Sequence, residues 1–433
     1  MRNALEDLRS QSDHDARSPS IFDVRLLGIF APWRLWGYGS ALAALYGVLL
    51  LAFYKAGIWL VDQSGVPVYT DFTQWWIAAL QALHGDSASL YIPSEFQKAQ
   101  DSLVGAGRAV FLTWPYPPIF FLFLAPLAML PYVAAFLTWD LVTLLGCVAA
   151  VYLIARRSSA IVLVLASPFT AWNFLGGQNG FLTASLIGAS LHFLETRPVL
   201  AGVFIGCLSY KPQFGMLFPV ALAAGNHWRA FTSAAATVAL LVGVTIAAFG
   251  TDVWTAFPRG LEAHSALFLS AHPSEDVILL SGRVQTVYGT VRTLLGSATP
   301  ALLAQGITLL VLATIVWLLW RLPLRYGLKA AAMSIAALLA TPWASACDMA
   351  AIVVPFAFLA RDQLDYGLLP GEQTVMIALF GASLVILVSF GGAPIGALIM
   401  ITLLSVILRR AILSCRELAP GFVKISLGDR TLD

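Results

Sequence analysis

The chain has 433 residues, 59% of them hydrophobic and 11% charged, with a mean hydropathy of +0.81. Soluble domains carry about 25% charged residues, so this composition excludes a soluble enzyme and indicates an integral membrane protein. The net charge of +2 speaks neither for nor against a polyanionic partner, and a nucleic-acid partner is not expected.

In chain order, residues 1–35 are polar, mixed in charge and without a signal-peptide pattern. They read as a disordered cytoplasmic tail, as do residues 416–433. Between them, 36–415 form one membrane domain. Candidate spans cover about 36–60, 116–129, 132–155, 159–175, 179–194, 199–209, 213–224, 228–249, 299–320, 326–341, 347–360, 371–390 and 393–413. Several fall short of the roughly 20 residues that cross a hydrocarbon core, and such broken segments are tolerated only where they line a protein cavity. They cluster between 116 and 224, which is where a site is expected.

Basic residues set the sidedness. Arg156-Arg157, Arg197, Arg229, Arg321, Arg325, Arg361 and Arg409-Arg410 mark cytoplasmic ends. The polar connections 61–115 and 250–298 then lie outside, with the turns Gly177-Gln178-Asn179-Gly180, Lys211-Pro212 and Thr341-Pro342. With both tails inside, one of the thirteen segments must be half-spanning. The proline-rich stretch between 116 and 155 is the suspect, leaving about twelve crossings. No inverted repeat is visible, which counts against a transporter. Each outer loop holds two helix-like runs, 71–84 and 94–104, then 252–270 and 284–296, apolar enough to lie along the membrane.

The first loop puts Asp71 at the head of an amphipathic run, Phe72, Trp75, Trp76, Ala79, Leu80 and Leu83, ending at Gly85. The paired tryptophans suit the headgroup layer. Asp71 is either a helix N-cap or a general base able to take a proton from a hydroxyl; the two roles are compatible if the carboxylate faces a cavity. Lys211 lies between apolar runs, where an ammonium is costly. It either snorkels at a helix end or serves as a cation for a phosphate. Gln178 and Asn179 sit in a glycine-rich break that makes either a tight turn or a hydrogen-bonding site for hydroxyls. Asp348 opens another apolar segment, as a cap or to position a cation or hydroxyl. Arg283, with Gln285 and Tyr288 at i+2 and i+5, is an ordinary loop arginine or a fork for a lipid phosphate.

No Walker sequence, dinucleotide fingerprint, HExxH or serine elbow occurs. Four scattered cysteines (Cys147, Cys207, Cys347 and Cys415) form no CxxC or Cys/His pattern, so no metal site, disulfide framework or cofactor is expected. Three readings remain: outward-facing chemistry near the lipid phosphate layer, a transporter or flippase, and a non-catalytic membrane scaffold. The scaffold leaves the broken segments unexplained.

Taken in order, Asp71-Phe72 with Gly85 and Tyr91, Tyr116-Pro117-Pro118 with Pro126-Leu127, Gly177-Gln178-Asn179-Gly180, Lys211-Pro212, and Thr341-Pro342 through Asp348 resemble glycosyltransferase family 87. This family of type-C membrane glycosyltransferases includes the mycobacterial phosphatidylinositol-mannoside mannosyltransferases. Cys347 stands where many relatives carry an aromatic residue. The resemblance implies an all-α polytopic membrane fold and transfer of a sugar, mannose or another hexose, from a polyprenyl-phosphate donor to a lipid or glycan acceptor, and makes a lipid-linked sugar the cargo under the transporter or flippase reading. It places the reaction on the periplasmic face of a bacterial inner membrane and assigns the catalytic base to Asp71. Inversion follows from a single base and a preformed phosphate leaving group. Tyr116, Gln178, Asn179, Lys211, Arg283, Gln285 and Asp348 are the expected substrate-binding residues, and membrane lipids the expected surroundings.

Overall fold

The computed structural model describes residues 32–109, 113–269, 283–389 and 392–427. The expected N-terminal tail lies almost wholly outside these residues. Every regular element among them is helical, and the chain is an all-α polytopic membrane protein. Five helices are long and apolar enough to cross a membrane: Trp36–Lys55 within α1 (Pro32–Lys55), α5 (Tyr132–Ala155), α11 (Trp228–Phe249), α14 (Ala298–Arg321) and Gly396–Cys415 within α18 (Gly396–Leu427). The pair α6 (Ser159–Leu165) and α7 (Pro168–Gly176) adds a sixth if its 54° bend is one broken span. The break has a local cause, because Pro168 disfavours helical geometry at Ser167, whose ψ is 129°. Length alone therefore supports fewer full crossings than the twelve expected.

The remaining apolar helices are shorter: α8 (Gly180–Phe193), α9 (Pro198–Cys207), α10 (Phe218–Ala224), α15 (Tyr326–Leu339), α16 (Val353–Tyr366) and α17 (Glu372–Val388). Several join the same two ends of the molecule. For example, α8 starts at Gly180, whose N–H donates to Asn173 Oδ1 at 2.8 Å, and reaches Leu191, whose carbonyl accepts the Tyr326 hydroxyl at the opposite end. Within the proline-rich stretch 116–155, α5 is long enough to cross, whereas the residues before it hold only α4 (Ile119–Leu124) and a 3₁₀ stretch, Ala125–Met129. Six α-helical residues rise about 9 Å, far short of a crossing.

The two polar connections expected to be outer loops carry α2 (Asp71–Leu83), α3 (Pro93–Val104), α12 (Asp252–Leu269) and α13 (Val287–Leu295), close to the runs read from periodicity. Their packing differs from expectation at one residue. Trp75 is not at a headgroup surface but 2% exposed, edge-on to Phe120 and Trp139 at 5.5 and 5.4 Å. Only Trp76 keeps an interfacial posture, donating its indole N–H to Leu130 O at 3.3 Å. α2 is thus driven into the bundle by Phe72 and Trp75, which fixes the height and direction of Asp71.

At the end opposite Asp71, α15 to α18 are fastened by buried charges. Arg410 donates to both oxygens of Glu372 at 2.6 Å, to Asp362 at 2.7 Å and to Gly367 O at 2.6 Å. Arg325 pairs with Asp362 at 3.2 Å and stacks over Tyr366. Two of the arginines that mark one membrane side in the sequence, Arg325 and Arg410, meet in this cluster. α18 continues past Arg416 to Leu427.

Candidate active site

Asp71 is the first residue of α2, but it does not cap the helix. Thr70 holds the N-cap position, with its N–H donating to Thr73 Oγ1 at 2.9 Å. Tyr132 joins the same hydroxyl at 3.0 Å. The Asp71 carboxylate is therefore not spent on its own backbone. It is partly exposed and hydrogen-bonds the Gln178 side chain. Burial pushes its carboxyl above the ordinary carboxylate range, against the Gln178 hydrogen bond and the charges of Arg283 and Lys211, which pull it down.

The glycine-rich turn exists because nothing larger fits. Gly177 has φ +63°, and a Cβ there would lie 2.6 Å from Phe136 and 2.7 Å from Phe72. A Cβ on Gly180 would lie 2.2 Å from Cys347 O. Asn173, fully buried, pins the turn from both sides, accepting from Gly180 N–H and donating to Gln178 O at 3.0 Å. Trp139 also donates to Gln178 O, at 3.2 Å. These contacts leave the Gln178 side chain facing Asp71. Neighbouring Asp140 is fully buried, and neither carboxylate oxygen is hydrogen-bonded among the described residues; nothing in the site explains it.

Asn179 points the other way. Its amide donates to the Tyr116 hydroxyl at 3.2 Å and its oxygen accepts from Lys211 Nζ at 2.9 Å. Lys211 Nζ also donates to Asp348 Oδ1 at 2.5 Å. The second oxygen of Asp348 accepts Ser345 N–H at 2.9 Å. Tyr116, Asn179, Lys211 and Asp348 thus form one connected chain, and the lysine neither snorkels nor stands open: it is 8% exposed. Asp348 is both turn cap and ion-pair partner.

Arg283 enters from the second outer loop. Its backbone runs antiparallel to the 344–346 turn: Gln285 N–H donates to Ala344 O at 2.8 Å and Ala346 N–H to Arg283 O at 3.1 Å. The guanidinium lies over Trp172 at 5.7 Å, and its buried Nε has no acceptor among the described residues. Gln285 is fully buried, with Oε1 accepting Gly396 N–H at 2.9 Å, so that oxygen serves the fold. Tyr288 packs on Trp343. Asn173, Trp139 and Trp172 complete the surroundings; an isolated tryptophan within an apolar helix gives no sequence signal of such a role.

Among the described residues no three His, Cys, Asp or Glu side chains converge in a metal-binding group. An apolar groove of about 600 Å³ runs beside the site between α1, α5 and α7, ending at Trp59 and Phe174, and does not include Asp71. The arrangement thus offers a partly exposed carboxylate, an amide that holds it, and a guanidinium whose charge reaches it.

The family model described as Glycosyltransferase family 87 matches residues 114–342. That stretch holds Tyr116, Gln178, Asn179, Lys211, Arg283 and Gln285 and stops short of Asp71 and Asp348 at either side. No curated protein and no solved structure matches the chain. With more than half of its length matched, the chain belongs to glycosyltransferase family 87 and is a membrane glycosyltransferase.

Proposed function

We propose that the enzyme transfers a sugar from a polyprenyl-phosphate donor to a hydroxyl of a lipid or glycan acceptor, on the periplasmic face of a bacterial inner membrane. The observation that carries this reading is the pairing of a partly exposed, uncapped Asp71 with an Arg283 that lacks a carboxylate partner among the described residues. Asp71 takes the acceptor hydroxyl proton as the oxygen attacks the anomeric carbon. The bond from that carbon to the phosphate oxygen breaks, and its electron pair leaves with polyprenyl phosphate. The leaving group gains a negative charge, which a fixed guanidinium stabilises. No second carboxylate is needed as an acid, because the phosphate leaves unprotonated. One in-line displacement inverts the anomeric configuration. A hexose is the expected sugar, mannose first.

The test is transfer by purified protein from synthetic polyprenyl-phosphate mannose and related donors to a panel of lipid and glycan acceptors. Asp71→Asn should lose about 10²- to 10⁴-fold in kcat, the range of a positioned general base. Transfer by the variant at the parent's rate removes Asp71 from the role. No transfer by the parent from any polyprenyl-phosphate sugar removes the donor assignment.

A further inference from the structure

Resting on the donor assignment above, we propose that Lys211 and Asp348 are positioning residues that set the guanidinium of Arg283, and that Lys211 is not itself a ligand of the donor phosphate. The case begins with what the lysine has left to give. Of its three ammonium protons, one goes to Asp348 and one to Asn179, while the rings of Phe214 and Tyr116 lie 5.3 and 6.0 Å from Nζ. The side chains of the pair are 10% and 3% exposed. A phosphate would have to displace a carboxylate at 2.5 Å within a buried pocket, leaving that carboxylate unpaired.

The pair is mechanically continuous with Arg283. Lys211 holds Asp348 Oδ1, and Asp348 Oδ2 holds Ser345 N–H at 2.9 Å and the Ser345 hydroxyl at 3.3 Å. Ser345 bridges Val284, and the next residue, Ala346, donates its N–H to Arg283 O. Arg283 thus emerges from a short two-stranded pairing whose far strand is tied down by the buried ion pair. Asn179 ties the same lysine to the turn that presents Gln178 to Asp71. One buried ammonium therefore sets the spacing between the base and the cation. Of the two positive charges, Arg283 acts on the Asp71 carboxyl more strongly than Lys211.

Asp348→Asn separates the two roles because they predict opposite signs. The amide frees Lys211 from its counter-charge and weakens the hold on Ser345. If Lys211 were the phosphate ligand, donor KM would stay level or fall. As a positioning pair, Asp348→Asn should raise donor KM several-fold, with acceptor KM unmoved. Lys211→Met alone buries an unpaired carboxylate and should cost about 10²-fold in kcat/KM for donor, as a displaced site group does. Lys211→Met/Asp348→Asn removes both charges, lets the amide still accept from Ser345, and should recover most of that loss. In an Arg283→Gln background, Lys211→Met should add little, because its effect passes through the missing arginine. A double variant that folds with the parent's Tm but stays as slow as Lys211→Met overturns the proposal, and so does a donor KM that stays level or falls in Asp348→Asn. A parent that transfers no sugar from any polyprenyl-phosphate donor defeats the donor assignment, and the pair is then judged by the Tm and the donor kinetics of the same variants with the donor the parent does use.

Discussion

Two clusters of buried charge stand at opposite ends of the bundle, and they are finished to different degrees. At the end that the basic residues lead one to expect inside, here called inner, Arg410 has its guanidinium bonded to Glu372, Asp362 and Gly367 O, while Glu372 also accepts the N–H of Leu369 at 3.0 Å. Arg325 completes it as an ion pair without hydrogen-bond geometry. Two arginines meet two carboxylates, and the cluster is neutral and closed. At the Asp71 end, here called outer on the same expectation, Lys211 and Asp348 are closed in the same way, but Asp71 and Arg283 are not. Asp71 keeps one amide partner and some exposure, and Arg283 keeps a buried Nε with no acceptor among the described residues. Burying an unsatisfied charged group costs several kcal/mol in general, which makes an arginine with no carboxylate partner, set near a partly exposed carboxylate, a candidate for use by a ligand or a reaction. Saturation of charge by a carboxylate partner, more than burial or complete hydrogen bonding, separates the fastening from the chemistry, since Arg325 Nε also lacks a hydrogen bond among the described residues yet lies 3.2 Å from Asp362. It also divides the outer cluster itself, with the lysine pair on the structural side.

The strongest way to break this comparison is to exchange the two signatures. Asp71→Asn should lower kcat by about 10²- to 10⁴-fold while leaving the Tm within a degree or two of the parent. Arg410→Met should do the reverse. It strands Asp362 and Glu372 and should destabilise the inner end by about 3 kcal/mol, seen as a lower Tm and a lower yield of folded protein in detergent. Its kcat per folded molecule should match the parent. If Arg410→Met slows turnover without lowering Tm, the inner cluster is not a fastening and the division by saturation fails.

A smaller effect tests the raised Asp71 carboxyl. A general base must be ionised, so activity should fall on the acid side through the pKa of Asp71 in the free enzyme. Burial is the dominant influence on that group and raises it. The acid limb of kcat/KM should therefore lie above the ordinary aspartate value of about 3.9. Arg283→Gln removes an influence that lowers the pKa, so it should move the limb to higher pH. A limb that stays in place indicates that Arg283 lies too far from Asp71 to act on it.

The sequence made the fold legible wherever one physical signal dominated. Apolar length and basic flanks predict most helices from α5 to α17 within a few residues, but α10 starts five residues after its expected bound and α16 is shifted by six, and the turns at Gln178, Lys211 and Thr341 fall at one end as the charge pattern requires. Asp71 was legible as a residue and not as a cap, because Thr70 and Thr73 satisfy the helix start and local spacing cannot tell which of adjacent Thr and Asp takes that position. Trp75 was misplaced for a related reason: a tryptophan pair has the same pattern at an interface or half in a core, and contacts with Phe120 and Trp139, far along the chain, decide it. The pairing of Lys211 with Asp348 across 137 positions was not legible at all. Asp348 reads in the sequence as a cap or as a residue that positions a cation or hydroxyl, and Lys211 as a snorkelling or phosphate-binding cation, but packing between distant segments decides that they meet each other.

The smallest predicted effect concerns the contact that joins the two outer loops. His264 on α12 and Thr113, just before Trp114 and Tyr116, share a hydrogen bond of 2.7 Å through His264 Nδ1. Burial pushes the imidazole down to about 4, so the folded protein holds it neutral where the unfolded chain takes up a proton. The sign follows. This contribution is fully present above the unfolded value of about 6.5 and is lost as pH falls from there towards 4. At pH 5.5 the loss should be about 1 kcal/mol, allowing for the partial exposure of the ring. His264→Gln can still bond Thr113 but does not titrate, so its outer loops should resist proteolysis equally at pH 7.5 and pH 5.5. The parent should be cut faster at pH 5.5 within residues 250–298, with the inner cluster unaffected. Equal cutting of parent and variant at pH 5.5 would show that the loops are joined by their apolar contacts, such as Tyr91 with Phe257 at 5.8 Å, and not by this hydrogen bond.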